Sequence, residues 1–186
     1  WCAASTHSSE EIFCAKTHLL LKKKYDDILT IIIPRHIDRI ERIKSELEKL
    51  NLKTCLYSKF DEMNVKTDIL LIDAYGESSK FFSIAKYVFL GGSLIKHGGQ
   101  NPIEPSRLGC KIFHGPNIDN FFEIYEYLKS LKIANQIYNS EELNQSLVEE
   151  FQLGKVDNNQ IIEKIDNYGK NILNNVINDL KKYINT

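Results

Sequence analysis

The sequence predicts an α/β domain built on a doubly wound parallel sheet. Three observations carry that prediction. Short apolar runs alternate with helical stretches, many of them ten or more residues long. The strongest run, residues 28–33 (ILTIII), is β-branched and lacks polar–apolar alternation, which suits a parallel strand buried on both faces. Residues able to do chemistry follow immediately after the strands, and so gather on one edge of the sheet, where such folds bind ligands. At 186 residues the chain fits one domain with a proper core, and no linker or internal repeat divides it.

Residues 1–5 (WCAAS) are apolar and predict a buried strand. Ser8 or Ser9 can cap the helix that follows, with Glu10 and Glu11 in its first turn and Ile12, Ala15, Leu19 and Leu20 as its apolar stripe. Residues 28–33 form the next strand, stopped by Pro34, Arg35 and His36. A helix over 38–50 places Ile40, Ile43, Leu47 and Leu50 on one face. Strands over 54–57 and 69–72 follow, the second ending in Asp73, Ala74, Tyr75, Gly76 and Glu77. A helix over 79–85, a strand over 87–90, a helix over 103–108 and a strand over 111–113 complete the middle of the chain. Then come a helix over 120–131, a small strand over 136–138, and a helix capped by Ser140. Residues 159–184 have helical periodicity, with Gly169 expected to break or bend the helix.

Composition excludes several function classes. With 24 basic and 25 acidic residues and a net charge of −1, there is no electrostatic case for nucleic acid. Cys2, Cys14, Cys55 and Cys110 show no CxxC pairing and no zinc spacing; they read as reduced thiols of a cytosolic protein. The five histidines have no metal-binding spacing, and His18, well down a helix, reads as structural. No apolar run approaches the ~20 residues that span a bilayer, and no signal peptide is visible. The chain starts at Trp1, already inside a strand, so an upstream part is expected to be missing.

The organising stretch is residues 91–105 (GGSLIKHGGQNPIEP). Its two Gly-Gly pairs let the backbone approach a ligand, and Pro102 sits where a following helix tolerates proline. Bare amides leading into a helix N-terminus suit a phosphate; a plain strand–helix connection fits the loop alone equally well. Arg35 is a permanent cation able to grip phosphate in bidentate fashion. Asn101 and Glu104 are three apart and face the same side of the first helical turn, where a carboxylate can accept from two ribose hydroxyls. Amides for phosphate and a carboxylate for ribose make a nucleotide site. Neither a GxGxxG nor a GxxxxGK[ST] pattern occurs, which weakens NAD and P-loop readings.

With those residues in place, the sequence resembles the carboxyl-terminal half of the 3-deoxy-D-manno-octulosonic acid (Kdo) transferases of lipopolysaccharide synthesis. The resemblance rests on residues 1–11 (WCAASTHSSEE), Pro34-Arg35-His36 with Arg39, residues 73–77 (DAYGE), residues 91–105, and His114-Gly115-Pro116 through Asn120-Phe121. It implies a Rossmann-like domain, the C-terminal half of a GT-B glycosyltransferase, with residues 1–186 as a single CMP-Kdo-binding domain. The reaction implied is inverting transfer of Kdo from CMP-Kdo to a lipid A precursor, with no metal or other cofactor. By motif position, CMP would be bound by Pro34, Arg35, Tyr75, Gly76, Glu77, Asn101, Pro102, Ile103 and Glu104. Arg35 would stabilise the leaving group, and His7, Ser93, Gly98 and Gly99 are further candidate donor contacts.

The resemblance also implies that the catalytic carboxylate, the acceptor surface and the membrane anchor belong to an amino-terminal domain absent from these residues. No catalytic residue is then expected here, and these residues alone are expected to be inactive. The parent enzyme would work at the cytoplasmic face of the bacterial inner membrane. Ser9 stands where the family usually has Gly, Ala74 where it has Thr, and Gln100 where it has His. The alternatives are another GT-B enzyme, such as a UDP-sugar transferase or an epimerase, and a nucleotide-binding module without activity.

Overall fold

A computed structural model describes residues 1–154 and 159–184. The expected single domain over 1–186 therefore includes residues 155–158 and 185–186, which lie outside the described residues. The strands are β1 (Cys2–Thr6), β2 (Thr30–Pro34), β3 (Thr54–Leu56), β4 (Ile69–Leu71), β5 (Tyr87–Leu90), β6 (Lys111–His114) and β7 (Ala134–Gln136). They form one sheet in the order β3-β4-β2-β1-β5-β6-β7, with every pairing parallel. The chain builds outward from β1 to one side, then returns to lay β5 against the other side of β1. That reversal makes the β1/β5 junction the switch point, where a crevice opens at the carboxyl ends of the strands.

The helices are α1 (Glu10–Leu21), α2 (Ile40–Glu48), α3 (Ser78–Ala85), α4 (Ile103–Arg107), α5 (Phe122–Ser130), α6 (Ser140–Leu153) and α7 (Asn159–Ile184). Side-chain alternation along the strands divides the core in two. Ala3, Ile32, Leu71, Phe89 and Phe113 face α1, α2 and α6, meeting Cys14, Ile43, Leu47 and Leu147. Cys2, Ala4, Ile33, Leu70, Val88 and Ile112 face the other way, onto Phe81, Phe82, Tyr125, Leu128 and Ile165 of α3, α5 and α7. Both faces of the sheet are thus covered, which is why its strands carry apolar residues at consecutive positions. Each such large side chain, fully buried, is worth roughly 1.5–3 kcal/mol.

Several expected boundaries move, each for a local reason. The stretch before α2 is a 3₁₀ turn over Ile37–Arg39, and Tyr57 opens another over Tyr57–Glu62 rather than extending β3. The last strand lies at Ala134–Gln136, two residues earlier than the apolar Ile137 and Tyr138 implied, because its register is set by β6: Ile112 opposite Ala134 and His114 opposite Gln136. Ser140 does not cap α6; Asn139 does, its Oδ1 accepting from the Glu142 amide at 2.9 Å. Ser9 precedes α1 in a left-handed conformation, φ 79°, and its hydroxyl makes no cap. α7 runs unbroken through Gly169.

The charged residues at the far end of the sheet are structural. Buried Asp68 holds the Lys22 ammonium and, with its second oxygen, the Lys53 amide at 2.8 Å. His18 is fully buried beside it, its Nδ1 2.8 Å from Thr30 Oγ1, in keeping with the structural role expected of it. Burial lowers the His18 pKa, an effect that outweighs the raising influence of Asp68, so this imidazole sits neutral.

Candidate functional site

The site is built where β1 and β5 run side by side. A β carbon at Gly91 would come within 2.5 Å of the Ser5 carbonyl oxygen and 2.7 Å of Thr6 Cα, so glycine is required for this approach. Ser5 itself has φ 55°, and the β1–β2 register shifts between Ala4 and Thr6. This bulge turns the chain out of the strand and into the site.

The carboxylate of Glu10, only 1 % exposed, closes on the glycine-rich loop. It accepts from the amides of Gly92 at 2.7 Å, His7 at 2.9 Å, Leu94 at 3.0 Å and Ser93 at 3.2 Å. Burial raises its pKa and the four amides oppose that rise. The anion is the form that accepts all four. The entry of the loop is therefore a real anion cradle, already filled by the chain's own carboxylate. Sequence reasoning read Glu10 only as a helix first-turn charge. The available signal was a carboxylate opening the helix after the strand that neighbours the loop's own strand.

What the loop leaves free lies further along. The Gly99 amide donates to the Gly92 carbonyl at 3.0 Å, and that of Ile103 to Asn101 Oδ1 at 3.0 Å. Among the described residues, the amides of Gly98, Gln100 and Asn101 donate to no protein group. Gly98 has φ 94°, and a β carbon there would meet the Asn120 side chain at 2.4 Å, so this turn too requires glycine. α4 has only five residues, too short for its dipole to be the main anion attractor expected from the sequence. Individual loop amides replace it. Ser93 is fully buried, its hydroxyl donating to the Leu90 carbonyl at 2.5 Å and accepting from the Gly115 amide at 2.8 Å. It fastens the loop and presents no face to a ligand.

The other candidates converge on the same edge. The Arg35 amide donates to the Thr6 carbonyl at 2.9 Å, anchoring the turn after β2 beside the end of β1. Its guanidinium is exposed and pairs with no carboxylate among the described residues. Neighbouring Arg39 is committed: it pairs with Glu11 at 3.0 Å, while Thr6 Oγ1 donates to the same carboxylate at 3.0 Å. Pro34 is buried and sets the exit angle of β2. After β4, Tyr75 is exposed, Gly76 has φ 81°, and Glu77 pairs with Lys80 at 2.5 Å, which lowers its pKa. Asp73 orders the turn after β3, taking the Ser58 amide at 2.9 Å and its hydroxyl at 2.5 Å.

Glu104 accepts from Ser79 Oγ, which ties the start of α4 to the start of α3. This brings the Tyr75–Gly76–Glu77 turn and the Asn101–Pro102–Ile103–Glu104 segment together, with Asn101 and Glu104 both exposed. Three histidines from separate turns meet beside them: the His7 ring lies 4.3 Å from that of His97 and 5.9 Å from that of His36. Desolvation, then His97, His36, Arg39 and Arg35, lower the His7 pKa to about 4. Two hollows lie elsewhere on the surface, the second adjoining the Glu77 turn through Tyr57 and Lys80. One of about 480 Å³ sits against β3 near Lys44, Lys53 and Thr67, and one of about 600 Å³ lies between Tyr57, Phe60 and Ile84.

A parallel sheet with its switch point at β1/β5 and a glycine-rich turn beside a free arginine define a Rossmann-like α/β domain, the type that forms one half of GT-B glycosyltransferases. The fold matches the crystal structure described as the C-terminal CMP-Kdo binding domain of WaaA from Acinetobacter baumannii. The TM-score is 0.76 and the identity 22 %, covering 92 % of this chain and 87 % of that one. No protein-family model matches the chain. By sequence the chain is homologous to one part of the 3-deoxy-D-manno-octulosonic acid transferases, as its motifs implied. It is 30 % identical over 173 residues to the transferase of Haemophilus influenzae and 31 % identical over 181 residues to that of Rickettsia prowazekii. These matches take in 93 % and 97 % of this chain but only 40 % and 38 % of those proteins. A bifunctional glycosyltransferase/methyltransferase of Fusobacterium nucleatum is 31 % identical over 142 residues, 22 % of its length.

Proposed function

We propose that this chain is the donor-binding domain of a Kdo transferase, an inverting enzyme that moves Kdo from CMP-Kdo to a lipid A precursor. The observation that carries the reading is the exposed Arg35 guanidinium, unpaired among the described residues, on the same sheet edge as the amides of Gly98, Gln100 and Asn101, which donate to no described protein group. Arg35 and those amides take the phosphate. Asn101 and Glu104, with Pro102 and Ile103 shaping the turn, take the ribose side. Tyr75, Gly76 and Glu77 border the base, and Pro34 sets the angle at which Arg35 leaves the sheet.

Departure of CMP places charge on its phosphate, and a fixed guanidinium with aimed amides stabilises that charge most in the transition state. This accounts for leaving-group chemistry without a metal, and we expect no metal or other cofactor. The acceptor hydroxyl is activated from the amino-terminal half of the enzyme, which also holds the acceptor surface and anchors the enzyme at the cytoplasmic face of the inner membrane. Among the described residues no helix is long and apolar enough to cross a membrane.

Calorimetric titration of the chain with CMP and with UDP tests the reading. A clear preference for CMP is expected. Equal or tighter binding of UDP would move the chain to the UDP-sugar enzymes of the same architecture.

A further inference from the structure

An ulosonic acid carries its carboxylate on the anomeric carbon, the same carbon that bears the phosphate in a nucleotide-linked donor. A domain that binds such a donor therefore needs a second anion subsite bordering the first. Arg35 and the loop amides account for one. The residues that border it are His7, His36 and His97, on the turns after β1, β2 and β5.

These histidines are not explained by the fold. His36 and His97 are exposed, and neither side chain has a hydrogen bond among the described residues. His7 Nε2 is screened from solvent and has no partner among the described residues, an uncommon state for a covered ring nitrogen. Arg35 and Arg39 both lie near enough to lower the His7 pKa, and with Arg39 paired to Glu11 it is Arg35 whose charge is left without a carboxylate among the described residues. Glu10 and Glu11, the carboxylates that follow β1, are turned inward, Glu10 onto loop amides and Glu11 onto Arg39 and Thr6. The Arg35 guanidinium and the imidazole N–H groups together offer a carboxylate a cation and several donors.

We propose that His36 and His97, held apart by the His7 ring between them, receive the carboxylate of the donor sugar beside the phosphate subsite at Arg35. The subsite selects acidic sugars over neutral ones, and His7 acts as a positioning residue. This inference rests on the donor-domain reading above and adds to it the residues that recognise the sugar.

The test compares CMP with CMP-Kdo on the wild-type chain and on the H36Q/H97Q double variant, by calorimetry. Wild type should bind CMP-Kdo roughly tenfold or more tighter than CMP, the range expected for charge-assisted contacts. The double variant should lose that increment and keep its affinity for CMP within about twofold, a split that general damage to the domain would not give. If the double variant does not fold, the single variants H36Q and H97Q should each lose part of the increment. An increment that survives the substitutions, or a wild type that binds CMP and CMP-Kdo equally, overturns the subsite and leaves the donor domain standing. A wild type that binds neither overturns both.

Discussion

Ser9 occupies a left-handed position, φ 79°, between the end of β1 and the start of α1. Such a conformation costs an L-residue about 1–2 kcal/mol, and glycine none. The greater freedom of glycine in the unfolded chain takes back part of that. Ser9→Gly should therefore stabilise the domain by about 0.5–1 kcal/mol, visible as a melting temperature higher by about 1–4 °C. A lowered melting temperature would mean that Ser9 makes a contact that offsets its strain. Glu10 carries the opposite expectation. Glu10→Ala orphans four amides, three of them in the glycine-rich loop, and should cost on the order of 3–5 kcal/mol in urea unfolding. Less than 1 kcal/mol would show that water fills the cradle freely. In a two-domain transferase, Arg35→Ala should lower turnover by the equivalent of about 2–4 kcal/mol of barrier; near wild-type turnover would remove Arg35 from the leaving-group site. At this scale the sequence was half legible. The free cation could be read from its place after a buried strand. The filled cradle could not, because it depends on β1 and β5 being neighbours, with Cys2 opposite Val88, 86 residues further on.

Helices and strands were legible where one local signal dominated. Six of the seven strands among the described residues follow from apolar runs, since a sheet covered on both faces demands apolar residues at consecutive positions; the seventh, Ala134–Gln136, lies just before the apolar pair that pointed to it. Ends were set by partners that a run does not reveal, as when β7 takes its register from β6. α7 shows the limit of a single-residue rule. Glycine in a helix interior costs about 1 kcal/mol, too little to stop a 26-residue helix whose amino-terminal part is pinned by Ile165, by Arg107 on Asp166 and by Tyr127 stacked on Tyr168. A β carbon at Gly169 meets nothing within 4 Å. Gly169→Ala should therefore raise helicity and add up to about 1 kcal/mol, read by circular dichroism and thermal melting. A loss of stability would place a kink or a close contact at that position.

For the molecule as a whole, burial lowers the pKa of three histidines, His7, His18 and His114, below the ordinary 6.5. Below pH 6.5 the unfolded chain takes protons that the folded one refuses, so stability is full above that pH and falls as pH drops toward about 4, the value for His7. Glu10, its carboxyl raised by burial, opposes this in part by taking a proton more readily when folded. The stability Asp68 contributes is present above its ordinary 3.8 and is lost only below it, outside this window. Three groups against one predict a domain less stable at about pH 5 than at about pH 7.5 in urea titrations. Strand order was the part of the architecture no local pattern could supply, yet it is what turns scattered loops into one crevice. The most direct test of that crevice is to titrate the ¹⁵N-labelled chain with CMP and follow its amide resonances. The account predicts that the shifts centre on Arg35, Gly76, Gly98, Gln100 and Asn101. Shifts centred instead on Lys44, Lys53 and Thr67, beside the hollow at β3, would contradict it.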